Sequence, residues 1–443
     1  MESAQEDRGH DPIEDYYGCC RGHVELQTEI PSGYGSYIEK LARELFRKKA
    51  LEKGFDPELI RIYGERLSKG IKKGFGKDYF EVDLQGPDYG MLHSLEKNVW
   101  QFSAAKTYSQ LKEMSDALRK PDGTLRTFDE FRIQTTMITG KHLRHLKTEY
   151  RTAVKGANMA DRWTGIQERK HLFPLLEFIA IEDDRTSPLC RTLNGVIRPV
   201  DDPFWTRYYP PNHYNCRSTV RQIKDGVITP EEDIVAPEIP EIFKVNLGQR
   251  GLAFPEDHAY FEEIPEDVIR EARQFFPYGM QFDILEAGSV KGVLRQHYMA
   301  DPGKVDYGIV TTVARELASM ESSVVDIMPE ILDPVHRRTV FPDAKGLTNP
   351  DLRVDKVLVD IKSVQSTRYN TLRSAIDKAY RQVNVVIVDL PAPISESEMF
   401  RVANGRFLDH KDLKEIYFRI EGEYFLFRRG TKEPIRKSKG DTI

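Results

Sequence analysis

The sequence predicts a multidomain chain: a mainly α-helical region carrying a long irregular loop with Pro, Cys and His, followed by an α/β domain. Three observations lead there. Between Ser94 and Lys120, Leu95, Val99, Phe102, Leu111, Met114 and Leu118 recur at helical spacing, with Lys and Glu on the other side. The stretch from Asp183 to Val220 is dense in Pro, Asp, Asn and Tyr and has little helical or strand period. Beyond residue 300, helical patterns alternate with short β-branched runs such as Val385-Val386-Ile387-Val388.

Composition bounds the rest. At 443 residues, 40% hydrophobic and 30% charged, the chain has core material for two to four domains. No run is long and apolar enough to span a membrane. The start, MESAQEDRGHDPIEDYYGCC, is acidic and lacks the apolar core of a signal peptide, so production in a cytoplasm is expected, with its four cysteines reduced. Cys19 and Cys20 are adjacent and are expected as free thiols. The expected organisation is a leader and helical region at 1–84, a helical domain with its loop at 85–225, a Pro-rich connector at 226–299 with one short helix near Val268–Phe275, and the α/β domain at 300–443.

In the helical region, Pro121-Asp122-Gly123 ends the first long helix. Thr127 and Glu130 form a capping-box pattern for the next, whose buried stripe begins with Phe128, Phe131 and Ile133. Trp100, Trp163 and Trp205 read as core packing. Long helices with polar faces suit assembly surfaces.

The irregular loop needs an internal anchor. His213 and Cys216 have the short spacing of a metal-binding pair, Cys190 could close the site, and Asp183 or Asp184 could be a fourth ligand. The alternative is two packed thiols beside a hydrogen-bonded histidine. The runs TLNGVIRPVDDPFW and PPNHYNCRS, with QFSAAKTYSQLKEMSDALRKPDGTLRTFDEFR and LKTEYRTAVKGANMADRW upstream, resemble phage Mu protein F-like minor head proteins over residues 85–225. The resemblance implies a phage head morphogenesis component in the virion head, with portal and capsid proteins as partners. This chain departs from the pattern at Ser218, where many relatives have a second cysteine, and at Cys190, where histidine is frequent. Both changes weaken a fixed structural zinc site.

The strongest pointer to chemistry is Pro350-Asp351, then Val357-Leu358-Val359 and Asp360-Ile361-Lys362, a PD-(D/E)xK pattern. On a strand, Asp360 and Lys362 share a face, and Asp351 could swing in beside them. Two carboxylates can hold a divalent ion against a phosphate while the lysine orients water or neutralises developing charge. A helix over Tyr307–Met320 offers Glu316 as a third carboxylate, and a second helix over Thr367–Val383 leads into Val385–Val388. Helix, strand pair, helix, strand is the order of the restriction-endonuclease-like core. The run PDLRVDKVLVDIKSVQSTRYNTLRSAIDKAYRQVNVVIVDL looks like the C-terminal tRNA-nuclease domain of contact-dependent inhibition toxins of the CdiA type, over roughly 300–430. That resemblance implies a metal-dependent nuclease in which Asp351, Asp360, Lys362 and Glu316 match family positions and Gln382 a recurrent polar one. It also implies a Mg or Zn ion, tRNA or DNA as substrate, and an immunity protein as partner. Ser363 and His336 are read as bystanders.

A net charge of −5 argues against wrapping of nucleic acid by the whole chain. Arg428, Arg429, Lys432, Arg436, Lys437 and Lys439 form a basic tail that either docks a phosphate backbone or is simply solvated. Before it, Ile416–Ile420 and Tyr424–Phe427 read as a hairpin around Glu421-Gly422-Glu423. The expectation is a phage or prophage minor head protein carrying a toxin-like nuclease. Its rival is a purely structural head protein whose C-terminal domain binds nucleic acid or a partner without cleaving it.

Overall fold

A computed structural model describes residues 33–346 and 348–438; Cys19, Cys20 and Lys439 lie outside them. The chain divides into two units, one of residues up to Glu81 with Met91–Met280, the other of Val82–Gly90 with Gln281–Ile443.

The first unit is built on four long helices: α1 (Tyr34–Lys48), α2 (Pro57–Phe75), α3 (Pro87–Asp116, its first turn counted with the second unit) and α4 (Phe128–Arg169). Local chemistry sets their ends. Asp56 accepts the Leu59 N–H, Pro57 opens α2, and Gly76 closes it at φ 77°. Thr127 and Glu130 make the expected reciprocal capping box at the start of α4. α2 packs against α4 closely enough that a Cβ on Gly74 would lie 2.1 Å from the Val154 carbonyl oxygen, so only glycine permits that approach. Leu59, Ile60, Tyr63, Leu67 and Ile71 of α2 are fully shielded from water, each burial contributing about 1.5–3 kcal/mol.

Two details of the helical reading change. α3 ends at Asp116, and the chain turns back through a bridge between Arg119 and Leu125. Ile133 is 57% exposed, because the buried face of α4 runs through Phe131, Thr135, Thr139 and His142 instead. The three tryptophans are buried, as expected. After α4 comes a small antiparallel sheet, with β1 (Leu175–Ile179) between β2 (Ile197–Pro199) and β3 (Thr219–Ile223).

The second unit holds a nine-stranded mixed sheet in the order β12-β11-β10-β9-β8-β7-β6-β5-β4. Its strands are β4 (Phe282–Glu286), β5 (Val293–His297), β6 (Val324–Ile327), β7 (Leu352–Val354), β8 (Val357–Ser363), β9 (Val385–Asp389), β10 (Glu415–Ile420), β11 (Glu423–Arg428) and β12 (Ile435–Lys437). β8, β9 and β10 run parallel, whereas β7–β8 and β10–β11 are antiparallel. β4 and β5 arise from the stretch read as a connector, which therefore contributes two strands beside its short helix at Glu266–Ala272. The hairpin forms at Glu421 and Gly422, whose φ values of 49° and 87° meet the positive-φ demand of a tight two-residue turn.

Helix α5 (Tyr307–Met320) has the bounds the sequence predicts. It lays Val310, Val313, Ala314 and Ala318 onto the sheet face formed by Leu352, Val359, Ile361, Val385 and Ile387. Alternation along β8 then sends Asp360 and Lys362 to the other face. α6 (Tyr369–Tyr380) stops before Val383, and α7 (Glu396–Asp409) begins with a capping box of Ser395 and Glu398.

Candidate functional site

Asp351 precedes β7, and the β7–β8 hairpin folds it back against the motif strand. The N–H of Ile361, the residue between Asp360 and Lys362, donates to Asp351 Oδ2 at 2.8 Å. The Lys362 ammonium contacts Asp360 Oδ2 as an ion pair, and its Nζ also donates to the Ile361 carbonyl at 3.2 Å. Asp351, Asp360 and Lys362 are therefore brought together. Asp360 is 1% exposed; its Oδ2 is engaged by Lys362, and its Oδ1 has no hydrogen-bond partner among the described residues.

Electrostatics follow from this crowding. Burial and the neighbouring Asp351 charge push the Asp360 carboxyl up to about 7, against the opposing pull of Lys362. Asp351 is raised as well, chiefly by burial, with the Ile361 N–H and Lys362 pulling the other way. Two acidic groups that resist simultaneous ionisation, with oxygens short of donors, form a donor set that a divalent cation would satisfy.

Glu316 is engaged by other groups. Both Glu316 oxygens are taken by Arg419 at 2.7 and 2.8 Å and by the Tyr424 hydroxyl at 2.6 Å, and Arg419 also holds Asp389 at 2.5 Å. Ser363 donates to the same Asp389. Gln382 lies in the turn between α6 and β9, toward the Val359–Val385 end of the strand pairing, whereas Lys362 pairs with Val388 at the other end. Acids that the sequence reading passed over lie nearer: Asp301, Asp306 and Glu330, with Lys304, line a cavity of about 30 Å³ beside Asp351. Asp306 begins α5, and its Oδ1 is buried with no hydrogen-bond partner among the described residues. The turn Asp301-Pro302-Gly303 before a helix was the local signal available for them.

The basic tail is largely absorbed by the fold. Arg428 pairs with Glu415, Arg436 with Glu396 and Lys437 with Glu321, while Arg429 donates to the carbonyls of Phe407, His410 and Lys411.

In the first unit, Cys190 on the short helix Pro188–Arg191 meets the turn that bears His213 and Cys216. Cys190 Sγ lies 3.4 Å from His213 Nε2 and 3.7 Å from Cys216 Sγ. The contact between the thiols lowers the Cys216 thiol and raises that of Cys190. Neither Asp183 nor Asp184 joins the group; Arg217 binds both oxygens of Asp183.

A family model described as Phage Mu protein F like protein matches residues 102–221, the stretch of α3, α4, the small sheet and this cluster. Residues 102–221 are thus similar to that family. The putative capsid assembly protein F of Escherichia phage Mu is 25% identical over 181 residues, covering 41% of this chain and 37% of that protein. The Mu-like prophage FluMu F protein of Haemophilus influenzae is 32% identical over 83 residues, 19% of each. Each match covers well under two thirds of the relative's own length. No solved structure matches the chain. Among the described residues, no helix is long and apolar enough to cross a membrane.

Proposed function

We propose that the chain takes part in phage head assembly through its Mu F-like domain, and that its second unit is a metal-dependent nuclease of restriction-endonuclease-like fold. The first half of the reading rests on the family match and on a relative named as a capsid assembly protein; portal and capsid proteins are its partners, and the virion head its place. One observation carries the second half. Asp351, Asp360 and Lys362 converge through the 2.8 Å bond from Ile361 to Asp351.

Asp351 and Asp360 would hold the ion, which supplies Lewis acidity toward a phosphate oxygen. Lys362, released from Asp360, presents its ammonium to the attacking water or to the charge that develops on phosphate. Asp306 and Lys304 border the same carboxylate and extend the polar surface. tRNA is the substrate we favour, from the toxin resemblance, with an immunity protein guarding the producing cell.

A specific observation favours a second reading, a non-catalytic binding module. Asp360 is almost fully buried, so a phosphate reaches it only if the surrounding side chains move. Incubating the full chain with tRNA, total RNA and plasmid DNA, with Mg²⁺ or with chelator, separates the two. We expect Mg²⁺-dependent RNA cleavage that Asp360→Asn abolishes. Cutting of DNA alone would keep the chemistry and replace the substrate, and failure to cut any of them would leave the binding module.

A further inference from the structure

We propose that Cys190, His213 and Cys216 form a zinc site with three protein ligands and a fourth position open to water. The argument begins with the distances. Two thiolates bound tetrahedrally at about 2.3 Å from zinc stand about 3.8 Å apart, and a thiolate and an imidazole nitrogen about 3.5 Å apart. The cluster has 3.7 Å between its sulfurs and 3.4 Å from Cys190 Sγ to His213 Nε2. All three ligand atoms lie within 4.8 Å of one another. Two of the three spacings of a bound ion are thus already present, and a small rotation of the His213 or Cys216 side chain would close the third.

The histidine is oriented for the task. His213 Nδ1 lies 2.8 Å from the Tyr214 carbonyl oxygen, a contact that requires Nδ1 to carry the proton and turns the Nε2 lone pair toward the sulfurs. A carbonyl partner for the second ring nitrogen is the usual support of a metal-bound histidine. Cys190 and Cys216 are 1% and 4% exposed, and His213 is half-buried, so water reaches the cluster from the histidine side. Soft sulfur ligands with one imidazole select zinc over magnesium or calcium.

The local fold gives the ion a structural task. Cys190 sits at the head of the loop and Cys216 at its end, shortly before β3, and the intervening chain has little regular structure apart from β2 and one short helix at Phe204–Tyr208. An ion there ties the two ends together. The aspartate side is closed, because Arg217 holds both oxygens of Asp183, so the chain supplies no carboxylate as fourth ligand among the described residues. Ser218 lies close enough to hydrogen-bond Cys190 and offers a hydroxyl to a water in the fourth position.

The test uses the full chain, purified under reducing conditions, with no reference to nuclease activity. Elemental analysis should find about one zinc per chain, and cobalt titration should give the spectrum of tetrahedral cobalt bound to thiolate. Cys216→Ser and His213→Asn should each lose stoichiometric binding at micromolar metal, while Asp183→Asn should keep it. Should Cys216→Ser fail to fold, the cobalt spectrum of the unmutated chain decides alone. Absence of both stoichiometric zinc and a cobalt–thiolate spectrum in fully reduced protein overturns the proposal and leaves two packed thiols.

Discussion

The Lys106 ammonium meets the Glu149 carboxylate at 2.8 Å with both side chains wholly removed from solvent. The pair joins α3 to α4, and the ammonium also lies 5.4 and 5.2 Å from the ring centres of Tyr63 and Tyr260. Removing one charge leaves the other buried and alone, which typically costs about 3–5 kcal/mol. Lys106→Met or Glu149→Gln should each destabilise the helical unit by that order, and the double variant should recover much of the loss. Denaturant unfolding of the three variants checks it; additive losses would contradict the pairing.

The two units should respond oppositely to pH. His145 and His258 are buried neutral, and burial, aided by the Lys106 charge, pushes them down to about 2 and about 3. Their unfolded values lie near 6.5, so the stability they hold is complete above about pH 6.5 and is lost as pH falls below it, at up to about 2.7 kcal/mol per pH unit for two groups. Asp360 is shifted the other way, up to about 7. Its contribution is complete below about pH 4 and is lost as pH rises toward 7. Hydrogen exchange on metal-free protein across pH 5 to 8 should show the helical unit gaining protection as the sheet unit loses it.

Asp360→Asn should separate activity from stability. It removes a carboxylate expected to hold the ion, and cleavage should fall by several orders of magnitude. It also removes the repulsion from Asp351, so the metal-free melting temperature at pH 8 should stay level or rise. A fall in both would mark Asp360 as a packing residue.

Glu316→Gln should act through the fold. Arg419 would lose one of its two carboxylates and Tyr424 a charged acceptor, at a cost of about 1–3 kcal/mol. The loss should be the same with and without divalent ions. A penalty seen only when metal is present would return Glu316 to the set of ligands.

What was legible in the sequence was local. Helix α5 came out with its observed bounds because Val310, Val313 and Ala314 keep the period. The capping box at Thr127 and the hairpin at Glu421-Gly422 were readable because each is decided within a few residues. Asp360 and Lys362 follow from strand alternation, and Asp351 from a hairpin ten residues long. The partner of Glu316 was not legible, because Arg419 is 103 positions away and no local pattern announces that pairing. β4 and β5 were hidden among prolines, and they are strands because neighbours far along the chain supply their pairing. Ile133 illustrates a third case: over the 42 residues of α4 the buried face is chosen by the neighbours it meets, and one apolar residue falls outside it.

The interleaving of the units has a consequence for synthesis. Val82–Gly90 belongs with Gln281–Ile443, so this segment leaves the ribosome roughly 190 residues ahead of the rest of its unit. At about 5 to 20 residues per second the wait is about 10 to 40 s, during which the intervening helical unit can fold first. The second unit can therefore be completed only after the whole first unit has been synthesised. The same arrangement constrains recombination: a single crossover that exchanges only the chain beyond Gln281 would leave the early segment without the rest of its native unit.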